Sequence, residues 1–215
     1  MIFHNRHDAG RKLSQMLLEY RDADDVIVLG LPRGGVPVAF EIAQKLQAPL
    51  DIFIVRKLGV PSQPELAMGA MASGNVLVLN KELISYLRIS TNDIEAVARR
   101  EALELERRES LYRQGHAALE RENKTIILVD DGLATGASMQ AAVNALKKQQ
   151  PRKIVIAVPV SSKESCATLK KSVDEIVCLT TPADFQSVGA WYEDFTQTTD
   201  QEVCKLLERS HFEAA

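Results

Sequence analysis

The stretch TIILVDDGLATGAS, residues 125–138, decides the fold of this chain. A short apolar run ends in two adjacent acids, Asp130 and Asp131, and a turn of small residues then leads into a helical pattern that begins near Ser138. Short, continuous apolar runs suit strands that are buried on both faces, as in a parallel sheet. Ligands of open α/β sheets bind beyond the carboxyl ends of such strands. The stretch therefore predicts a ligand site at the end of a buried parallel strand.

The small residues after the acids suit a phosphate. Ala134, Gly136 and Ala137 have little or no side chain, so their backbone N–H groups can approach phosphate oxygens. The N-terminal end of the following helix adds partial positive charge, and Thr135 and Ser138 offer hydroxyl donors. A plain Asp-Gly turn with Thr and Ser as helix caps explains single residues, but not the whole combination. No GxxxxGK[ST] pattern is present, so this is not a Walker loop.

Strand and helix patterns alternate along the rest of the chain. Further strands are predicted at residues 26–31, 50–55, 76–79, 153–160 and 176–179. Helices are predicted over 8–20 with Asp8 as cap, 36–46, 91–121 with Asn92 or Thr91 as cap, 138–148, after a capping box at 161–164, and over 200–209. The Gly- and Pro-containing segment 57–74 is predicted to be loop or short strand. We predict one α/β domain over residues 1–215 with a central, mainly parallel sheet and a helical insertion at about residues 80–122.

Composition narrows the class of protein. A formal charge of -3 argues against a dedicated nucleic-acid binder. No apolar run approaches the roughly 18 residues that a membrane span needs, and the first residues show no secretory signal pattern. Cys166, Cys178 and Cys204 are widely spaced, which predicts three buried thiols in a reducing cytoplasm rather than a metal site or disulfide.

Residues 126–138 resemble the signature of type I phosphoribosyltransferases, which bind 5-phosphoribosyl-1-pyrophosphate (PRPP). The shared pattern is an apolar strand, two acids, three residues and then Thr-Gly-x-Ser/Thr. The resemblance implies that Asp130 and Asp131 bind the ribose hydroxyls and, directly or through water, Mg²⁺. It implies that residues 134–138 (Ala134, Thr135, Gly136, Ala137 and Ser138) hold the 5-phosphate. Many members have a hydroxyl residue at the position of Ala134, so one phosphate hydrogen bond is expected to be missing.

Two further segments match the positions of the family's other loops. Arg33, Gly34 and Gly35 follow the first core strand, where the family binds pyrophosphate through backbone N–H groups. Arg56 and Lys57 stand where the family has a basic pair before a mobile loop over the active site, with Glu65 a weaker candidate within that loop. An exposed turn and a solvent-facing Arg-Lys pair are the ordinary structural readings of these residues.

The resemblance implies a Mg²⁺-dependent transferase that moves the phosphoribosyl group from PRPP to an unidentified, nitrogen-containing acceptor, in a cytoplasmic homodimer. A PRPP-sensing regulator without turnover, a PRPP-making diphosphokinase and a hydrolase that releases pyrophosphate remain alternatives. The acceptor-binding hood is expected in the N-terminal helix or in residues 80–123. The aromatic residues around Trp191 and Tyr192, with Phe185 and Phe195, are expected to be a packed segment rather than a stacking platform for a base.

Overall fold

The structure is a computed structural model that describes residues 1–213 and the side chains of residues 1–210. The strands in chain order are β1 Val26–Gly30, β2 Leu50–Ile52, β3 Val55–Val60, β4 Gln63–Ala72, β5 Val76–Leu79, β6 Thr125–Val129, β7 Lys153–Val160 and β8 Glu175–Thr180. The α-helices are α1 Arg6–Ser14, α2 Gly35–Leu46, α3 Lys81–Leu87, α4 Thr91–Arg113, α5 Ala137–Lys147, α6 Lys163–Leu169 and α7 Asp200–Glu213. Short 3₁₀ helices cover Gln15–Tyr20 and Gly189–Trp191.

A five-stranded parallel sheet forms the centre of the molecule, in the order β2-β1-β6-β7-β8. Successive side chains of a strand point to opposite faces, and β6 shows the consequence. Ile127 and Val129 pack in an apolar cluster with α2, α4 and α7, whereas Ile126 and Leu128 pack in a second cluster with α5 and α6. The predicted central parallel sheet is therefore confirmed, and helices cover it on both sides.

The segment after β2 forms a second sheet, which the sequence reading missed. β3, β4 and β5 pair antiparallel in that order. The predicted strand at 50–55 is divided between β2 and β3. The segment 57–74, predicted to be loop or short strand, is a hairpin with a ten-residue second strand. Its glycines permit close strand packing: a Cβ atom at Gly69 would lie 2.4 Å from the carbonyl oxygen of Val78. Glycine and proline suggested a loop, yet tertiary packing here decides in favour of strand.

Several predicted helix ends are also wrong, because side-chain caps and backbone conformation fix them. Asn5 caps α1 by accepting from the N–H of Asp8 at 2.9 Å, and the helix changes to 3₁₀ form after Ser14. Ser90 caps α4, which ends where Gln114 takes a left-handed φ of 49°. Ser162, not Ser161, caps α6 by accepting from the N–H of Ser165. Helices α3 and α4 occupy the segment where the insertion was predicted.

The structure also tests the predictions about the burial of the cysteines and about a membrane span. Cys166, Cys178 and Cys204 are free, but only Cys204 is buried, so the prediction of three buried thiols is wrong for the other two. Over the described residues, no helix combines the length and apolarity that crossing a bilayer would require.

Candidate active site

Two loops meet at the carboxyl ends of β1 and β6. The loop after β1 contains Gly34 and Gly35, and the loop after β6 begins with the two acids. A Cβ atom at Gly34 would lie 2.0 Å from Oδ2 of Asp131, and one at Gly35 would lie 2.6 Å from the carbonyl oxygen of Val129. A side chain at Gly35 would therefore collide with backbone, and a side chain at Gly34 would displace the carboxylate of Asp131. The structure therefore brings together the predicted pyrophosphate loop and the predicted acid pair.

The two carboxylates are crowded. Asp130 accepts a hydrogen bond from the N–H of Asp131 at 2.9 Å through Oδ1. Burial and the neighbouring Asp131 charge raise the pKa of Asp130 well above its usual range. Burial also raises the pKa of Asp131, although a hydrogen bond from Arg6 opposes that shift. Two desolvated acids side by side are a favourable place for a cation or for hydroxyl donors.

Arg6 is a member of this site that the motif did not reveal. Its Nε donates to Oδ2 of Asp131 at 2.7 Å, and its Nη1 donates to the carbonyl oxygen of Thr196 at 2.7 Å. The guanidinium lies 4.0 Å from the ring centroid of Phe195. The N-terminal segment and residues 192–196 therefore lie beside the acid pair. Only a contact across 125 positions reveals this, and no local pattern carries such information.

The aromatic residues near the C-terminal part pack as expected. Tyr192 is buried, and its ring packs at a 45° tilt against that of Phe3, with the centroids 5.4 Å apart. Its hydroxyl donates to the carbonyl oxygen of Asp131 at 2.6 Å. Phe185 and Trp191 pack against the same small cluster. The prediction of a packed segment is confirmed for Tyr192, Phe185 and Trp191, whereas Phe195 is 36% exposed. The hydroxyl of Tyr192 also supports the backbone of the acid pair.

The small-residue loop after the acids is open to solvent where a phosphate would lie. Ala134, Thr135, Ala137 and Ser138 are exposed. Gly136 has a left-handed φ of 69° and precedes the first turn of α5, so the helix begins one residue before the predicted Ser138. The first N–H groups of an α-helix have no partner within the helix and can bind an anion. Here the N–H of Ala137 makes a long hydrogen bond to the hydroxyl of Thr135, at 3.4 Å.

The helix α6 braces the same loop from behind. Ser162 and Ser165 both donate hydroxyl hydrogen bonds to the carbonyl oxygen of Ala134, at 3.0 and 2.7 Å. Leu133 donates from its backbone to Val160 at 2.9 Å, which ties the loop to the end of β7. These bonds turn the carbonyl of Ala134 inward, away from the position where an anion would bind.

The predicted basic pair points in two directions, because neighbouring residues of a strand alternate between faces. Arg56 donates from Nε and Nη2 to Oε2 of Glu101 on α4, at 2.9 and 2.7 Å. Lys57 is exposed and lines a cavity of about 460 Å³ that also touches Glu65 and Ala137. Lys57 thus shares a cavity with the phosphate loop, whereas Arg56 is engaged by the long helix.

Arg33 is half-buried and weakly paired. Its Nη1 lies 3.8 Å from Oδ1 of Asp200, and the peptide bond that precedes it, between Pro32 and Arg33, is cis. The side chain therefore stands at the edge of the glycine loop without a short hydrogen bond from its guanidinium to Asp200.

The residues that could hold a metal here are Asp130 and Asp131. Among residues 1–210, whose side chains are described, no group of three or more His, Cys, Asp or Glu is arranged to hold an ion. Mg²⁺ typically keeps several waters and takes one or two carboxylates together with substrate oxygens. A pair of crowded acids beside two phosphate-type loops fits that mode of binding.

Comparisons with known proteins agree with this geometry. A family model described as the phosphoribosyl transferase domain matches residues 2–194. Proteins of two Mycobacterium tuberculosis strains, provisionally named phosphoribosyl transferases, are 46% identical over 98% of this chain. The crystal structure of the protein TT1426 from Thermus thermophilus is 41% identical and covers 97% of this chain and 99% of its own, with a TM-score of 0.87.

The chain spans about half the length of the mycobacterial relatives, 47% in each case. The match to the family model nonetheless covers most of the chain, including both glycine-containing loops and the acid pair. The predicted type I phosphoribosyltransferase fold is confirmed, with the antiparallel sheet β3-β4-β5 as an addition to the parallel one. The chain belongs to the phosphoribosyl transferase domain family.

Proposed function

We propose that this chain is a Mg²⁺-dependent phosphoribosyltransferase that binds PRPP and transfers its phosphoribosyl group to a nitrogen-containing acceptor. The observation that carries the proposal is the close approach of Gly34 to Asp131, whose Oδ2 would lie 2.0 Å from a Cβ atom at Gly34. It supports a pyrophosphate loop beside the acid pair. The exposed loop at 134–138 continues from that pair. One ligand with a pyrophosphate, a diol and a distant phosphate would meet all three features.

Each part of the chain has a distinct task in this reaction. The backbone of Gly34 and Gly35 would hold the pyrophosphate, while the N–H groups and hydroxyls of residues 134–138 would hold the 5-phosphate. Lys57 was predicted to meet the pyrophosphate, but the cavity that it lines is bounded by Ala137 rather than by Gly34 or Gly35. Asp130 and Asp131 would accept hydrogen bonds from the ribose hydroxyls. Bound Mg²⁺ would supply positive charge to the departing pyrophosphate. Because the ligand is fixed at three points, the anomeric carbon is held still for attack.

The chemical step exchanges one bond for another. The bond between the anomeric carbon and pyrophosphate breaks, the electron pair leaves with pyrophosphate, and a nitrogen of the acceptor forms the new bond. Positive charge builds on the ribose ring during this exchange. The nearby carboxylates of Asp130 and Asp131 are well placed to favour that charge. The acceptor nitrogen gives up its proton to solvent or to a group of the acceptor site.

The hood is proposed to lie at the N-terminal segment and residues 192–196, because these are the elements in contact with Asp131. Residues 80–123, the other sequence-based candidate, pack through α4 on the hairpin and on α7. The homodimer and the cytoplasmic location stay predictions.

The proposal is tested by measuring pyrophosphate release from PRPP and Mg²⁺ with a panel of nitrogenous bases and without any base. Acceptor-dependent release is expected. Release without an acceptor would favour the hydrolase, tight PRPP binding without release would favour the sensor, and PRPP formation from ribose 5-phosphate and ATP would favour the diphosphokinase.

A variant in which Asp130 and Asp131 are both replaced by Asn should lose PRPP binding in calorimetry, because Asn keeps the shape and removes the charge. Normal affinity in that variant would refute the assignment of the acid pair. Unfolding of the variant by heat, followed by circular dichroism, checks that the fold is retained.

A further inference from the structure

Arg6 is a buried cation in the first turn of α1. Its side chain is 10% exposed, and that of Asp131 is 15% exposed. Burying a guanidinium is costly unless its charge and its N–H groups are satisfied. This costly burial occurs next to the acids that we propose bind the ribose diol. A role for Arg6 at that site would explain it.

Three partners fix the plane of the guanidinium. Nε donates to Asp131, Nη1 donates to the carbonyl oxygen of Thr196, and the ring of Phe195 lies against the guanidinium carbon at 4.0 Å. Two directed donors and a stacked face leave a planar group little freedom to rotate. A lysine ammonium could satisfy one of these partners but offers neither the planar face nor the two donors in fixed directions.

The result is a fixed orientation of both carboxylates. The bond from Arg6 engages Oδ2 of Asp131, and the N–H of Asp131 engages Oδ1 of Asp130. One oxygen of each acid, Oδ1 of Asp131 and Oδ2 of Asp130, takes no part in these two bonds. Tyr192 holds the main chain of Asp131 in place at the same time. Two vicinal hydroxyls of a ribose need two such oxygens at a fixed separation.

We infer that Arg6 is a positioning residue for ligand binding, which clamps Asp131 so that the acid pair presents one oxygen each to a vicinal diol. This inference rests on the proposed function, because it assumes that the acids bind the ribose. It adds a residue outside the phosphate motif to the site, and it makes the N-terminal helix a working part of that site.

A double-mutant cycle tests the inference with the full chain, PRPP and Mg²⁺, measured by calorimetry. Arg6→Gln is expected to lower PRPP affinity at least about tenfold, the scale of one charge-assisted hydrogen bond. Asp131→Asn alone should weaken binding. Arg6→Gln added to Asp131→Asn should weaken it little further, because the arginine acts through that acid. Arg6→Lys should recover part of the affinity.

The matched control is Arg11→Gln on the same helix. Arg11 is an exposed arginine whose Nη1 lies 3.5 Å from Glu41, so its loss should leave PRPP affinity unchanged. Fully additive losses in the cycle, or normal affinity of Arg6→Gln, would overturn the positioning role. If the unaltered chain binds no PRPP, the proposed function itself fails and the positioning role fails with it. Normal binding by the unaltered chain and by Arg6→Gln removes the positioning role alone.

Discussion

The crowding of Asp130 and Asp131 lowers the stability of the folded chain, but it prepares the pair to bind a ligand. Burial and mutual repulsion raise the pKa of Asp130, so the folded chain resists the charged form that the unfolded chain carries at neutral pH. A bound cation or hydroxyl donors would relieve that cost. Strain of this kind is common where a protein is prepared for binding.

Replacing Asp130 by Asn should therefore stabilise the chain while it weakens PRPP binding. We expect the free energy of unfolding at pH 7.5 to rise by about 1 kcal/mol, at the low end of the cost of a poorly compensated buried polar group. Urea unfolding measures the gain, and calorimetry measures the lost affinity.

The control for this variant is Asp25→Asn. The carboxylate of Asp25 is paired with Arg152 and accepts from the hydroxyl of Thr125 at 3.1 Å, so its loss should lower stability. A destabilised Asp130→Asn variant would contradict the argument from crowding.

The acids themselves could be found from the sequence because strand, acids and loop are contiguous. The residues that contact the acids in the folded chain could not be found in this way. Gly34 lies against Asp131 only because β1 and β6 are adjacent in the sheet, and Arg6 reaches the same acid from α1. A local sequence pattern indicates which functional groups are present. The residues that orient those groups depend on the order of the strands in the sheet.

At the scale of elements, α6 is a support for the phosphate loop rather than a mere connection. Ser165 is buried and donates to the carbonyl oxygen of Ala134 from behind the loop. Its neighbour on the helix, Thr168, is exposed. The orientation of the loop backbone therefore depends on a helix that contacts the loop from behind, through the carbonyl oxygen of Ala134.

We predict that Ser165→Ala costs roughly 1 kcal/mol in unfolding free energy, the usual net value of one hydrogen bond. PRPP affinity should fall severalfold, because the peptide group between Ala134 and Thr135 keeps only the longer bond from Ser162, at 3.0 Å, and its N–H is held less firmly towards the ligand. Calorimetry and urea unfolding provide the two measurements. Thr168→Ala is the matched control on the same helix and should change neither. Unaltered affinity in Ser165→Ala would show that the loop keeps its shape without α6.

The hairpin shows why an element can be misread. Glycines and prolines between residues 57 and 74 suggested a loop, and a loop gives no reason for Arg56 and Lys57 to face different ways. As part of β3 they alternate, so Arg56 reaches Glu101 while Lys57 remains exposed. The strand is stabilised by its pairing with β4 and by packing against α4 and α5, and neither contact is visible in the local sequence.

At the scale of the whole molecule, Asp51 connects the helical segment to the central sheet. This buried acid of β2 accepts from Arg113 Nη1 at 2.5 Å and from Arg121 Nη2 at 3.3 Å. The N–H of Leu119 donates to it as well. The end of α4 and the chain that returns to β6 are therefore fixed to the sheet through one carboxylate.

Removing that carboxylate leaves the buried guanidinium of Arg121 without its ion-pair partner, and it leaves Arg113 with only the longer contact to Glu109 at 3.8 Å. Asp51→Ala is expected to lower the free energy of unfolding by about 3–5 kcal/mol, as measured for one-sided loss of buried ion pairs. The exposed Glu208 on α7 provides a control, because Glu208→Ala should change stability by no more than about 0.5 kcal/mol. Similar values for the two variants, from urea unfolding at one pH, would contradict the prediction.

The clamp on Asp131 also has a consequence for the order in which the chain is made. Arg6 leaves the ribosome 190 positions before its partner Thr196. The acids, the glycine loop and the phosphate loop are all synthesised in between. A nascent chain that has reached residue 140 therefore carries every recognisable motif while its acid pair still lacks the backbone carbonyl and the aromatic face that hold Arg6. Translation must pass the last of the clamp residues before the ribose half of the pocket can take its final shape.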